Sequence, residues 1–226
     1  LNASLPAGSR IAFEPMLMVN SQFTALDATH CELVALSEDP FNAIWLDRPA
    51  PPCGAIHEMP DDISGESSAD KRLRIAKVLA EKGADLLAIT QPDNIAWLLN
   101  IRGSDVAMNP VAHSFALLSR DGEIEWFVDH AKTHNLSGTL KSSLRLSTWQ
   151  NCLPHCQQFA AGKKVMLDAD GAPVALRFAI EQHGGEILWQ ADPITFIKAH
   201  KNDVELEGYR ESHRQDGTAW VNFLAW

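Results

Sequence analysis

The sequence predicts an α/β fold in which helices flank a mixed sheet. Short apolar segments of strand length alternate with amphipathic segments of helix length between residues 66 and 193. The pair Asp121-Gly122 separates two apolar segments and is typical of a β-hairpin, because such a turn needs positive φ. Alternating strands and helices of this length indicate a mixed sheet covered by helices. Seven Trp and nine Phe supply large side chains for its core.

Composition and charge exclude several classes of protein. The 226 residues are 46% hydrophobic and 21% charged, which is globular composition and excludes a disordered chain. The 19 basic and 29 acidic residues give a net charge of −10, which argues against nucleic-acid binding. No apolar run approaches the roughly 20 residues of a membrane span, so we expect no membrane partner. Because no signal-peptide pattern is visible, the four cysteines are expected to be reduced and the protein cytoplasmic.

The first 55 residues resemble the end of a domain. A strand is predicted at 10–15, a helix near 21–29 and a second strand at 32–36. Three prolines then fall within four residues, at 49–52, and the chain stays polar and rich in Pro, Gly and Ser up to Ser68. Such prolines form a stiff, extended connector, so we place a domain boundary near 50–66. The segment before it is short for a domain.

Residues 66–193 hold most of the predicted elements. The first helix begins at a Ser68-Ala69-Asp70 cap and ends at Gly83. Its predicted buried face consists of Leu73, Ala76, Leu79 and Ala80. Strands are predicted at 85–90, 114–118, 125–128, 164–167 and 186–189. Further helices are predicted at 92–99, after Asp129, around 152–156 and at 172–183.

The last segment, 194–226, has a different pattern. A short helical link at 194–199 precedes a long helix that Asn202 and Asp203 cap. One face of this helix carries Tyr209, His213, Ala219 and Phe223. The chain ends on the apolar run 220–226 without a helix-stopping signal. We therefore expect a longer protein; the alternative is a final helix docked on its own domain.

Two histidine-containing groups have the spacing of metal ligands. His130 and His134 are four residues apart on a predicted helix and could share a metal. Ala131 replaces the glutamate of the zinc-protease motif, so two exposed histidines are the preferred interpretation.

A solvated acidic turn is preferred for the linker group of His57, Glu58, Asp61 and Asp62.

Cys152, His155 and Cys156 cluster on another predicted helix and could supply three soft ligands. No second Cys/His knuckle lies at zinc-finger distance, so a structural cluster is preferred. The sequence also lacks a nucleophile elbow and a phosphate-binding glycine loop.

The loop at 100–110 is the most unusual segment. Arg102 and Asp105 are close enough in sequence to form a local ion pair. A structural loop pinned by that pair and by Asn109-Pro110 is one interpretation. A rigid polar loop that faces a substrate or a partner domain is the other.

A family resemblance enters at this loop. Residues 93–106 (DNIAWLLNIRGSDV), followed by Asn109-Pro110-Val111, resemble the second domain of the long, three-domain Xaa-Pro aminopeptidases (aminopeptidase P, creatinase/peptidase M24 family). Residues 44–49 resemble the end of that family's first domain. The start of its catalytic domain is similar to the segment 198–202 with Glu205, Glu207, Arg210, His213, Asp216, Gly217 and Ala219.

This resemblance implies a layout and a chemistry for the longer protein. Two creatinase-type mixed α/β domains precede a pita-bread peptidase domain, which holds two divalent metal ions, usually manganese. Two Asp, one His and two Glu bind them, and metal-bound hydroxide attacks the bond before a proline. The 226 residues stop before every one of these ligands, and the substrate-contacting Asp-Gly-Arg-Tyr segment is also absent. No catalytic or metal-binding residue is therefore assigned; Arg102 and Asp105 are assigned a substrate-access or interdomain role.

The resulting prediction divides the chain into three parts. Residues 1–55 end a first creatinase-type domain, 66–193 form a second, and 194–226 form a link and the first helix of a truncated catalytic domain. The chain is then the non-catalytic, cofactor-free front of a metallo-aminopeptidase that takes peptides with proline second, with a homodimer as a further expectation. The alternatives are a stand-alone binding or scaffold domain, and a small metalloenzyme built on the histidine or cysteine groups.

Overall fold

A six-stranded mixed sheet lies at the centre of the protein in the computed structural model, which describes residues 4–226. The strands are β1 (Arg10–Phe13), β2 (Glu32–Ala35), β3 (His57–Glu58), β4 (Leu86–Ile89), β5 (Ile101–Arg102), β6 (Phe115–Ser119), β7 (Ile124–Phe127), β8 (Arg145–Ser147), β9 (Lys164–Leu167) and β10 (Glu186–Trp189). The helices are α1 (Asn20–Asp27), α2 (Phe41–Ile44), α3 (Asp61–Ser64), α4 (Ser68–Lys82), α5 (Pro92–Leu98), α6 (Gly138–Ser142), α7 (Cys152–Ala160), α8 (Val174–Glu181), α9 (Pro193–Ala199) and α10 (Asp203–Ala225). Across residues 4–226, each helix is too short or too polar to cross a bilayer.

The central sheet has the strand order β10-β9-β4-β6-β7-β8. β6 is antiparallel to its neighbours β4 and β7, whereas the other neighbouring pairs are parallel. Five strands therefore point one way and β6 points the other way. The hairpin between β6 and β7 turns at Gly122, where φ is +83°, as the Asp-Gly pair predicts.

Helices cover both faces of this sheet. Leu87 and Ile89 of β4 belong to the core shared with α4, α5 and α9. Leu86 and Ala88 of the same strand belong to the core shared with α7 and α8. This alternation follows from the two-residue period of a strand. The predicted mixed sheet flanked by helices is confirmed.

The buried face of α4 differs from the predicted one. Leu73 is 58% exposed, and Ala80 is exposed as well. The face that meets the sheet consists of Lys71, Arg72, Ile75, Ala76 and Leu79. Two cations occupy positions that a hydrophobic pattern assigns to apolar residues, because main-chain carbonyls and an amide oxygen accept hydrogen bonds from them there.

The helix predicted after Asp129 is a 3-10 helix of four residues, His130–Thr133. Asp129 caps it by accepting a hydrogen bond from the Ala131 N–H at 2.9 Å. Ser137 then caps the separate helix α6, so a continuous helix does not form here.

The N-terminal segment packs against the outside of α8. β1 and β2 form a two-stranded parallel sheet. Phe23 of α1 lies between Phe13 and Phe178, at ring-centroid distances of 5.4 and 5.8 Å. The Val174 N–H donates to the Met18 carbonyl at 2.8 Å. The proline-rich segment leads into β3, which pairs antiparallel with β5.

A buried polar cluster fixes the start of the C-terminal segment. Asp192 caps α9 and accepts from the Asn94 amide at 2.8 Å. The same amide donates to the Thr195 hydroxyl at 2.9 Å, and Lys198 donates to Asn94 Oδ1 at 2.7 Å. Asn202 and Glu205 then form a capping box at the start of α10.

Asn100 connects three segments beneath α10. It adopts φ +51°, a left-handed conformation that Asn tolerates better than most residues. Its Nδ2 donates to Asp61 Oδ1 (3.0 Å), Ser64 Oγ (3.0 Å) and the Glu66 carbonyl (2.8 Å). Its Oδ1 accepts from Lys71 Nζ at 2.6 Å. The residue is 5% exposed, so these bonds form almost entirely out of water.

Lys71 is the buried cation of this network. Only 1% of the residue is exposed, and its ammonium also donates to the Trp97 carbonyl at 3.1 Å. The Nζ atom lies 4.4 Å from the Trp97 ring centroid, within cation–π range. Burial lowers the pKa of Lys71 to about 8, although the nearby Glu205 and Glu66 carboxylates raise it.

We predict that Asn100→Gly destabilises the fold by about 3 kcal/mol, because it removes both N–H donors of a buried amide and takes an acceptor from a buried ammonium. Glycine keeps the positive φ, so the loss reports on the amide. Urea unfolding measures the difference. The exposed Asn135→Ala is the control, and we expect it to change stability by less than about 0.5 kcal/mol. Equal stability of the two variants would contradict the role of the network.

We also predict a rise in stability with pH that depends on Lys71. Since its pKa is about 8 when folded and 10.5 ordinarily, the unfolded chain binds more protons between these values, and stability rises with pH across that window. Urea unfolding at several pH values between 7 and 10.5 measures this slope. Lys71→Met should lose this rise in the free energy of unfolding with pH, while Lys77→Met, on the exposed side of α4, should keep it. Parallel curves for the wild type and Lys71→Met would refute the prediction.

Candidate functional site

A cleft of about 670 Å³ separates α10 from the body of the α/β unit. α5 and β5 provide one wall, with Trp97 and Arg102. The other wall is α10, with Glu205, Tyr209 and His213. Apolar rings and charged groups therefore face each other across a space large enough for a small ligand or a peptide segment.

Arg102 lies on the wall formed by β5. Its Nη1 donates to the carbonyls of Ile101 (2.8 Å) and Ala96 (3.5 Å). Burial lowers the pKa of Arg102, and the Glu205 carboxylate opposes that shift. A guanidinium carries five N–H donors, so donors remain for a carboxylate or carbonyl placed in the cleft.

Asp105 lies apart from the cleft, in a buried polar cluster. Its carboxylate has no exposed surface and accepts from Lys132 Nζ at 2.5 Å. The N–H groups of His113 (2.7 Å) and Gly54 (2.9 Å) also donate to it. Burial raises the pKa of Asp105, but the Lys132 ammonium and the two N–H groups outweigh this effect and lower it.

The predicted local pair between Arg102 and Asp105 is therefore wrong. Three donors from outside the loop surround the carboxylate, and the guanidinium bonds to main-chain carbonyls instead. The structure thus separates the two predicted residues: Arg102 faces the cleft, and Asp105 ties together the segments of Gly54, His113 and Lys132.

The predicted histidine and cysteine groups, His130/His134 and Cys152/His155/Cys156, do not line the cleft. His130 and His134 are exposed, and His134 Nδ1 lies 2.8 Å from the Ala131 carbonyl oxygen. His155 pairs with Glu125, while Cys152 and Cys156 are buried beneath it. A hydrogen bond with Cys156 and burial both raise the pKa of the Cys152 thiol. Between residues 4 and 226, no three His, Cys, Asp or Glu side chains are arranged to hold a metal ion.

The acidic group near His57 has structural partners as well as solvent. Glu58 accepts hydrogen bonds from the main-chain N–H and, at 3.1 Å, the hydroxyl of Ser137. Asp61 accepts from Asn100. Glu58 and Asp61 are exposed, as the interpretation of a solvated turn predicts, and both also hold distant segments in place.

Sequence reasoning missed Lys71 and the two lysines of the cleft mouth, Lys198 and Lys201. A signal for Lys71 exists: it stands four and eight residues before Ile75 and Leu79, on the apolar stripe of α4. A lysine on such a stripe indicates a buried cation with a defined partner. No local pattern distinguishes the other two from ordinary surface lysines.

The sequence matches the Creatinase/Prolidase N-terminal domain family over residues 47–205. The "Probable Xaa-Pro aminopeptidase P" of Laccaria bicolor is 33% identical over 208 residues, which is 89% of this chain and 32% of that protein. The "Xaa-Pro aminopeptidase 1" of Dictyostelium discoideum is 31% identical over 79% of this chain and 28% of its own length. This chain thus spans about a third of the curated relatives it matches.

A solved structure gives the same comparison in three dimensions. The X-prolyl aminopeptidase of Caenorhabditis elegans, described as a cytosolic enzyme with a di-nuclear active site, superposes with a TM-score of 0.90. It is 27% identical, and the match covers 99% of this chain and 38% of that enzyme. The family predicted from the loop motif is confirmed. The chain belongs to the creatinase/prolidase N-terminal domain family, over a stretch that includes both the cleft-lining Arg102 and the buried Asp105.

Proposed function

We propose that this chain is the non-catalytic front part of a cytoplasmic, metal-dependent Xaa-Pro aminopeptidase, which releases the residue that precedes proline. The match of nearly the whole chain to about a third of proteins named as Xaa-Pro aminopeptidases supports this. In this proposal, two manganese ions act in a catalytic domain outside these 226 residues. The substrate is a peptide with proline at its second position, and the enzyme is a homodimer.

The proposal keeps the predicted division of the chain. Residues 1–55 end a first domain, 66–193 form the second, and 194–226 begin the catalytic domain. On this division, the cleft separates the second domain from the first catalytic helix, α10. A wall that carries no chemistry can still restrict the length and direction of a bound peptide.

The single observation that carries the access role is the placement of Arg102. Its guanidinium is half-buried on the cleft wall, with main-chain carbonyls holding one nitrogen and Glu205 contributing the nearby negative charge. A fixed guanidinium of this kind recognises carboxylate and carbonyl oxygens in a defined orientation. We infer that it contacts the peptide or the domain that encloses it.

We expect the 226-residue chain alone to release no amino acid from a tripeptide with proline second, in the presence of manganese. The measurement is chromatographic detection of the free N-terminal residue, together with sequencing of the reading frame past Trp226. A continuation with two Asp, one His and two Glu in pita-bread order would support the proposal. Robust manganese-dependent release by this chain would contradict it, and a stop codon after Trp226 would favour the alternative, a stand-alone binding or scaffold domain.

In the full-length enzyme we expect Arg102→Ala to raise KM about 10-fold for long peptides, because a charge-assisted hydrogen bond is lost, while kcat changes little. The KM of Arg102→Lys should lie between that of the wild type and that of Arg102→Ala. The control is Arg120→Ala, which removes an exposed arginine paired with Asp85 on the β6–β7 hairpin side. Equal kinetic constants for Arg102→Ala and Arg120→Ala would exclude a substrate-access role.

A further inference from the structure

A second cavity, of about 340 Å³, opens where β7 and β8 end. These two strands are parallel, so their carboxyl ends lie at the same edge of the sheet. In open α/β sheets, ligands bind outside the carboxyl ends of strands. Asp129 follows β7 and Trp149 follows β8, and both line this cavity, with Pro51 and Pro52 closing one side. None of these residues belongs to the cleft that contains Arg102.

Trp149 provides a fixed aromatic wall. Its ring stacks on Phe115 with the centroids 4.5 Å apart and the planes 26° apart. Trp149 is nevertheless 38% exposed. Since Phe115 supports the ring from β6, a flat group can stack on Trp149 without first ordering it.

Asp129 provides an oriented carboxylate. Its Oδ1 accepts from the Ala131 N–H at 2.9 Å, which fixes the side-chain rotamer. Its Oδ2 has a long contact, 3.7 Å, with the exposed Cys53 thiol, which is a weak donor. The carboxylate therefore keeps acceptor capacity on the side of the cavity.

The charged side chains that line the cavity are Asp129 and Lys132, together with the imidazole of His113. Lys132 pairs with Asp105 at 2.5 Å, and the two side chains are 5% and 0% exposed. The Asp105 carboxylate therefore offsets the charge of Lys132, and little of the Lys132 side chain is exposed. Asp129 then supplies the uncompensated charge, next to an aromatic face. An aromatic face beside a carboxylate is the arrangement that attracts organic cations.

We propose that this cavity binds the guanidinium group of a peptide arginine, stacked on Trp149 and hydrogen-bonded to Asp129. A guanidinium fits better than an ammonium because it is planar, stacks on indole and offers two parallel N–H donors to one carboxylate. The prolines at 51 and 52 form an apolar wall for the methylene stem. This site does not depend on the proposed peptidase function, because it is a binding property of the described chain.

The test titrates the chain with N-acetyl-arginine-N-methylamide and, in parallel, with its citrulline counterpart, which has nearly the same shape without charge. The readout is the indole N–H resonance of Trp149, assigned with Trp149→Phe. We expect the arginine compound to shift this resonance and to bind at least about 10-fold more tightly than the citrulline compound. Equal binding of the two, or no shift of the Trp149 resonance, would overturn the proposal.

Two variants separate the charge from the ring. Asp129→Asn removes the charge but retains an oxygen that accepts from Ala131, so we expect an unchanged fold and a loss of about 10-fold in affinity. Asp121→Asn, on the exposed β6–β7 turn, is the matched control and should bind as the wild type does. Trp149→Phe keeps an aromatic face and, by isothermal titration calorimetry, should show a smaller loss than Asp129→Asn. Unchanged affinity of Asp129→Asn would refute the assigned recognition.

A last comparison identifies the source of the guanidinium. Free L-arginine carries an α-ammonium and an α-carboxylate, and the apolar side formed by Pro51 and Pro52 cannot replace the water that these groups lose on binding. We expect the blocked derivative to bind more tightly than free arginine, as a peptide residue would. Tighter binding of the free amino acid would overturn the assignment to a peptide.

Discussion

The side-chain amide of Asn100 is the interaction on which the geometry of the cleft depends. It holds α3, the Glu66 carbonyl and the Lys71 ammonium around one point that is shielded from water. Ser64, one of its partners, in turn accepts the Asn202 amide at its carbonyl and so positions the start of α10. The floor of the cleft and one of its walls are therefore parts of a single hydrogen-bonded assembly. Such networks stabilise a fold strongly only when every member is satisfied.

Elements with a local signal could be predicted from the sequence. The strands at 164–167 and 186–189 have the predicted bounds, because each is a short apolar run between clear turn signals. Asn202 caps α10 as predicted, with Glu205 completing the box. The two-residue strands β3 and β5 carry no such signal, since they exist only through their pairing with each other. The face of α4 was mispredicted because the partners that make Lys71 and Arg72 tolerable come from distant segments.

In the candidate site, too, features with a local sequence signal could be predicted, whereas contacts with distant segments could not. The loop of Arg102 and Asp105 was recognised as unusual from its sequence, and both residues match the motif that resembles the family. Their partners were not predictable, because Lys132, Gly54 and His113 reach Asp105 from segments up to 51 residues away. Burying the Lys132–Asp105 ion pair requires both charges to lose water, but the bond fixes the orientation of the Asp105 carboxylate. Asp105 therefore anchors the loop that carries Arg102, although the two side chains do not bond to each other.

The attachment of α10 has a mechanical consequence. Its 23 residues form a rod about 35 Å long. The capping box and the bond from Asn202 to the Ser64 carbonyl hold its first turn, while Trp220 and Phe223 near the other end are more than half exposed. Such a rod is a lever with its pivot at the Asn100 assembly. A tilt of about 10° at the pivot would displace the far end by about 6 Å, simply from its length. A small rearrangement around Asn100 would thus be magnified along the helix.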